Sequence, residues 1–235
     1  MEQIDIMTDF QEDAGHRDPD IYSRLLQSYH QRLWSKKLPS GAEFTLVAGL
    51  AGSARVLTHR SDLGDFTLSS DTLANSNRRA CQEHYDAMGA ESNREWHRDG
   101  GTIGGRLVFP RNRIDGRQTI NQRRGTHPQI RDRFDLTLEA IRRHYSRGSS
   151  PLSETLASYA SFFDLFRSFD GYVSFFLLQD LVDEEGSVRF YLPFEEFGAS
   201  PLPRSFEDYK EFRRRQLEFV AARNARILEA TSSGV

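Results

Sequence analysis

The sequence predicts an α+β fold: a small mixed or antiparallel sheet, mostly from the N-terminal half, packed against a mainly helical C-terminal half. Three observations predict it. Short alternating apolar runs fall mostly before residue 126. Beyond residue 129, apolar residues recur at three- and four-residue spacing. Seventeen phenylalanines in 235 residues supply the rings for an aromatic core. No linker-like stretch interrupts the chain, so residues 1–235 read as a single domain. A soft internal boundary near 126 separates a strand-rich part from a helix-rich one.

Met1–Phe10 alternates at Ile4 and Ile6, as a strand does. Asp18-Pro19 supplies an N-cap and a proline at the first helical position. Tyr22, Leu25, Leu26, Tyr29 and Leu33 follow at helical spacing, so one helix is expected to about Trp34. LPSG at 38–41 ends it. Residues 42–48 and 54–59 read as short strands. Ser69-Ser70-Asp71 suits the cap of a weaker helix through the early 80s. Residues 86–102 read as a long loop, and RLVFP at 106–110 as a buried strand. Asp115-Gly116 then predicts a tight type I′ hairpin.

Ile130, Phe134, Leu138, Ile141 and Tyr145 form one apolar stripe of an amphipathic helix. Arg131, Asp135, Glu139 and Arg143 are expected on its outer face, where they pair at i,i+4. Ser150-Pro151 opens another helix, with Leu152, Leu156, Tyr159, Phe163 and Phe166 inward. GYVSFFLLQDLV at 171–182 suits either a helix or a buried strand, and the DLVDEEG ending favours helix. VRFYLPF at 188–194 alternates like a strand. Ser205-x-x-Asp208 resembles a capping box and opens a long helix through Leu228.

Charge is distributed unevenly. The chain as a whole carries -3, yet residues 106–147 hold 11 basic and 4 acidic residues, net +7. All 11 of those bases are arginine. Guanidinium groups suit planar, bidentate recognition of carboxylate or phosphate. Two readings stay open: the arginines clasp the acidic flanks together, or some of them hold a phosphate-bearing ligand. In the hairpin arrangement, Arg111 and Arg113 share one face, while Asn112, Thr119 and Asn121 share the other. Arg123, Arg124 and Gly125 then lead into the helix expected near 129. Glycine permits close approach there, and a helix N-terminus favours an anion.

THRSDLGDFTLSSD at 58–71 is a second polar concentration. His59 and Asp62 are its acid–base candidates. The competing reading makes them a satisfied histidine and a turn residue. His30, beside Trp34, reads as packing. Cys81, the single cysteine, excludes an internal disulfide and reads as a half-buried helix residue. His84 and His97 lack the neighbours of a metal site. No Walker A, G-x-S-x-G, H-E-x-x-H or C-x-x-C motif occurs, and no cofactor is named by the sequence. The start of the chain is not an apolar leader, and no run approaches a membrane span of about 20 residues. A cytoplasmic protein without a membrane partner is expected.

Several strings together resemble a bacterial family classed only as a domain of unknown function, number 6994. They are DPDIYSRLLQSYHQRLWSKKLPSG, HRSDLGDFTLSSD, TINQRRG, IRDRFDLTLEAIRRHY, GYVSFFLLQDLV and SPLPRSFEDY. The resemblance implies a small bacterial cytoplasmic protein and supplies no activity. The functional expectation is a nucleotide- or nucleic-acid-phosphate-binding enzyme or effector with an arginine-rich pocket. Its ligand residues are Arg111, Asn112, Arg113, Thr119, Asn121, Arg123, Arg124 and Gly125. The alternative is a non-catalytic binding or regulatory module whose arginines are structural ion-pair partners. A homodimer built on Phe162–Phe176 is a third reading.

Overall fold

The computed structural model describes residues 4–232. It has the expected α+β class, with the strands in the N-terminal half and helices throughout the C-terminal half. The alternating start does not form a strand: from Ile4 to Asp9 the backbone turns, and the first three residues lie outside the described ones. Ile4 is nonetheless buried in the core. A one-turn helix, α1 (Phe10–Asp13), follows.

Asp18 and Pro19 start α2 (Pro19–Tyr22) as expected. The expected single helix then divides at Ser23, whose extended backbone ends α2 and caps α3 (Arg24–Trp34). The Ser23 hydroxyl accepts from Leu26 N and donates to Asp13 Oδ2, so a non-local carboxylate fixes the break. α3 buries Leu26, Tyr29, Leu33 and Trp34.

Two strand pairs follow. β1 (Lys36–Lys37) pairs with β2 (Glu43–Phe44). The main sheet is an antiparallel meander of β3 (Val47–Ala51), β4 (Ala54–Ser61), β5 (Gly64–Thr72) and β6 (Arg106–Pro110), in that order. Ser69-Ser70-Asp71 therefore lies in a strand and caps no helix. Its register places Ser69 opposite Phe109 and Asp71 opposite Leu107. Pairing with the fully buried β6 outweighs the local capping preference of these residues.

Residues 82–87 form α4 (Gln82–Ala87), and the expected loop at 86–102 is mostly a helix, α5 (Ala90–Gly100). Its inward stripe consists of Asn93, Trp96 and Gly100, too polar to announce a helix in the sequence. Asn93 is held by Tyr85 O and by Arg213.

The helical half contains α6 (Ile120–Thr126), α7 (Phe134–Tyr145), α8 (Ser153–Ser158), α9 (Ala160–Asp164), α10 (Phe169–Phe175) and α11 (Phe206–Ser232). α7 is buried without interruption from Phe134 to Ile141. Its first turns have no outer face, so Asp135 and Glu139 are interior, contrary to expectation. Residues 171–182 continue α10, then pass through a 3-10 turn at Gln179–Leu181. Among the described residues VRFYLPF makes one bridge, Val188 to Val182. The Tyr191 amide donates to Asp135 Oδ2 at 2.9 Å, which draws the chain away from a ladder. Ser205 Oγ accepts from Asp208 N and opens α11.

The expected aromatic core is present. Phe162, Phe163, Phe166, Phe169, Tyr172, Phe175 and Phe176 are all buried, and the rings other than Phe169 meet in edge-to-face and tilted contacts. This region is interior to the chain, so its rings are not a surface on which a second copy could dock. No helix among the described residues is long and apolar enough to cross a membrane.

α11 closes the fold against a 3-10 turn at Ile103–Gly105. Asn224 Oδ1 accepts from Gly104 N at 2.7 Å. A Cβ at Gly105 would meet the Gly100 carbonyl oxygen at 2.0 Å, a backbone atom that cannot swing away. Gly105→Ala is therefore expected to cost about 3 kcal/mol, the upper range for overpacking. Urea unfolding checks it, and an unchanged midpoint would show that this junction yields.

Candidate anion-binding face on the arginine segment

The Asp115-Gly116 turn forms, but the hairpin does not. Asp115 and Gly116 have φ of 51° and 70°, both positive as a type I′ turn requires, and Arg117 N donates to Ile114 O. No strand returns along β6, because Thr119 starts α6. Its hydroxyl accepts from Gln122 N, while the Gln122 side chain accepts from Thr119 N. The cross-strand faces expected of Arg111, Asn112, Arg113, Thr119 and Asn121 are therefore absent. Instead Arg113 Nη2 reaches Gln122 Oε1 at 3.3 Å, and Asn112 O accepts from Tyr159 OH at 2.6 Å. Asn121 Oδ1 is buried without a donor among the described residues.

Arg123, Arg124 and Gly125 sit within α6, not in a lead-in to it. Gly125 faces open space, so no close approach requires a glycine there. The capping box already engages the first turn of α6. The helix expected near 129 begins at Phe134, which is buried. Neither helix start serves as the anticipated phosphate position.

Arg124 has no exposed surface and forms a clasp. Nη1 donates to Asp71 Oδ2 at 2.5 Å and to Thr72 O at 3.0 Å. Nε reaches Thr137 Oγ1, and Nη2 reaches Asp132 O. The Asp132 carboxylate lies 3.3 Å from Nη1 and also accepts from Asn75 Nδ2. Burial works against the Arg124 charge, but Asp132 and Asp71 outweigh it and the net shift is upward. Burial raises the Asp71 carboxyl. Asp132 and Asp20 push the same way, and Arg124 opposes them.

Four other arginines of the segment also reach carboxylates. Arg106 donates to Asp20 at 2.8 Å. Arg133 grips Asp135 through both Nε and Nη2 and donates to Pro201 O. Arg142 and Arg143 share Glu139. The other six are Arg111, Arg113, Arg117, Arg123, Arg131 and Arg147. Among the described residues, none of these makes an ion pair. Arg113 and Arg117 are exposed, and Arg111 and Arg123 are half-buried. The clefts of about 380, 410, 430 and 550 Å³ are lined by other segments.

The acid–base candidates separate. His59 is buried in β4, with its ring 4.1 Å from that of Phe44 and Nδ1 bonded to Thr45 O. Burial holds its pKa down. Asp62 is exposed at the tip of the β4–β5 turn. Cys81 is buried at the start of α4, and burial raises its thiol pKa. His30 packs as expected and accepts from Trp34 Nε1 at 3.0 Å. No local pattern in the sequence marks Asp71 and Asp132 as the pair that holds Arg124. The only signal was the Ser-Ser-Asp string, which also reads as a cap.

The fold and segment together define an α+β protein with an arginine clasp and, beside it, arginines that reach no carboxylate among the described residues. A family model described as a family of unknown function (DUF6994) matches residues 4–227, and the chain belongs to that family. No curated protein and no solved structure matches it.

Arg124→Met should destabilise the protein by about 2–4 kcal/mol, because two partly buried carboxylates lose their counter-charge. Adding Asp71→Asn should restore part of that loss in a denaturant titration. Strict additivity of the two losses would contradict the clasp. A second expectation concerns acid. Burial, with Arg223 and Arg106, lowers the His30 pKa from 6.5 to about 3. Unfolding then takes up a proton, so this stability is complete above pH 6.5 and is lost as pH falls toward 3. His30→Gln should flatten the pH dependence of unfolding in that window by about one proton.

Proposed function

We propose that the chain binds the phosphate backbone of a nucleic acid or nucleotide through Arg111, Arg113, Arg117 and Arg123. The observation that carries this reading is charge without compensation. These four arginines fall in one short segment whose only acid is Asp115. Among the described residues none of them reaches a carboxylate, although five other arginines of the same basic stretch do. Arginine forks match phosphate oxygens bidentately. The segment is largely irregular surface, the usual place for binding residues held by a rigid scaffold. Arg124 and Thr119 leave the ligand set on this reading, because the clasp and the capping box engage them. The structural alternative holds for the paired arginines and does not account for the unpaired ones.

Fluorescence anisotropy with a labelled single-stranded oligonucleotide at low salt tests the proposal. Arg113→Ala, Arg117→Ala and Arg123→Ala combined should weaken binding and reduce the salt slope by about 2, from about 0.7 per lost contact. Thermal stability should hold, since none of the three makes an ion pair among the described residues. Unchanged affinity and slope would remove the proposal.

A further inference from the structure

The two edges of the main sheet differ. β6 is buried at all five positions. β3 pairs with β4 on one side, and among the described residues no strand pairs with its other side. All five residues of β3 are exposed, with Val47 at 59% and Leu50 at 63%. Open edges are ordinarily blunted by a lysine, a proline or a bulge. β3 has none of these. Residues 44–54 contain no charged residue and no proline, and the ladder with β4 runs without a bulge from Val47 to Ala51.

The register decides which backbone groups point outward. Ala51 and Ala54 flank a two-residue turn, so they form a hydrogen-bonded pair. Bonded and non-bonded pairs alternate along an antiparallel ladder. Gly49 and Val47 therefore bond to β4, while Ala48 and Leu50 turn their N–H and C=O groups away from it. The Leu46 carbonyl just before the strand is taken by Gln31 Nε2 at 2.9 Å. Ala48 and Leu50 have no such partner among the described residues.

Two outward residues flanking one glycine are self-complementary. Consider β3 paired antiparallel with β3 of a second copy, centred on Gly49. Ala48 meets the partner's Leu50, and Leu50 meets the partner's Ala48. Both pairs are outward-facing, so each exchanges both of its N–H···O bonds. The two glycines face each other as a non-hydrogen-bonded pair, the closer kind, at about 4.5 Å between Cα atoms. Val47 and Leu50, on opposite faces, each gain an apolar neighbour. Charge agrees with this occupant. A two-fold axis sets like charges near each other, and an uncharged strand avoids that repulsion. A charged peptide would find no counter-charge on residues 44–54.

We propose that β3 is a homodimer edge. Two copies pair their β3 strands antiparallel about Gly49 and join their four-stranded sheets into one. The edge is short, so the association is weak and concentration-dependent.

Sedimentation velocity of the full chain from about 5 to about 500 µM reads the association, and a monomer–dimer equilibrium is expected. Ala48→Pro removes an outward N–H and leaves the ladder with β4 intact. Leu50→Lys supplies the charge that guards other edges. Each should weaken dimerisation at least tenfold in a protein that melts like the wild type. Cysteine variants read the register. A Cβ at Gly49 meets Val56 Cγ2 at 3.9 Å, an ordinary contact, so Gly49→Cys is tolerated. Across the axis it lies within disulfide reach and should give a covalent dimer on mild oxidation. Ala51→Cys would lie about 13 Å from its counterpart and should not link. A monomer throughout, wild-type association in either edge variant, or linking of Gly49→Cys no faster than Ala51→Cys would overturn the proposal. None of these substitutions touches the unpaired arginines, so this interface and the phosphate reading stand or fall separately.

Discussion

A buried guanidinium cannot be left unsatisfied, and this constraint organises the molecule. Arg124, Arg133 and Arg223 are all withdrawn from solvent. An ion in a low-dielectric interior needs opposite charge or several hydrogen bonds. Each arginine meets that need differently. Arg124 gathers Asp71 and Asp132. Arg133 takes Asp135, two residues away. Arg223 pairs with no acid among the described residues: it donates to the carbonyls of Phe176, Gly104 and Arg106 and lies over the Trp34 ring. Burial lowers its pKa to about 9, which still leaves it charged at neutral pH. These three groups tie β5, α6, α11 and the turn before β6 into one arrangement. Hydrophobic packing alone, being non-directional, would not specify it.

The same constraint shapes the polar end of β5. Ser70 and Asp71 are neighbours in a strand and point to opposite faces. Ser70 joins the chain from His30, and Asp71 receives Arg124. One strand thus carries two polar networks, one on each face, both ending in carboxylates beside the same cleft. Arg106 links them at the start of the neighbouring strand, since Thr72 and Arg106 are register partners.

The parts legible in the sequence are those where local pattern and tertiary demand agree. RLVFP is buried at all five positions, so its continuous apolar run reads directly as β6. Asp18-Pro19 works at α2 because a cap and a fixed φ are local properties. The parts that were not legible depend on distant partners. Ser69–Asp71 looks like a cap until His30, Asp20 and Arg124 are brought to it from 40, 50 and 53 residues away. Asp115-Gly116 gives its turn but not its hairpin, because the next residues cap a helix. Arg123 and Arg124 are adjacent and look alike in sequence. On α6 one residue is about 100° of rotation, enough to leave the first half-exposed and bury the second.

The charge balance then shows why clasp and basic face belong together. If the arginine segment simply joined two acidic halves, both flanks would supply its counter-ions. They do not. Among the described residues, the carboxylates that reach it from outside are Asp20 and Asp71, both on the N-terminal side. Glu207, Glu211 and Glu218 of α11 pair within their own helix, and Asp180 pairs with Arg226. From the C-terminal side the segment receives backbone carbonyls, such as Pro201 O on Arg133, and the charge of Asp183 acting on Arg142 without a direct ion pair. Its own Asp132, Asp135 and Glu139 are consumed inside. The five paired arginines thus take Asp20, Asp71, Asp132, Asp135 and Glu139, and Asp115 remains on the turn. The positive surplus at Arg111, Arg113, Arg117 and Arg123 follows from how the interior is neutralised. That surplus is what the proposed phosphate binding draws on.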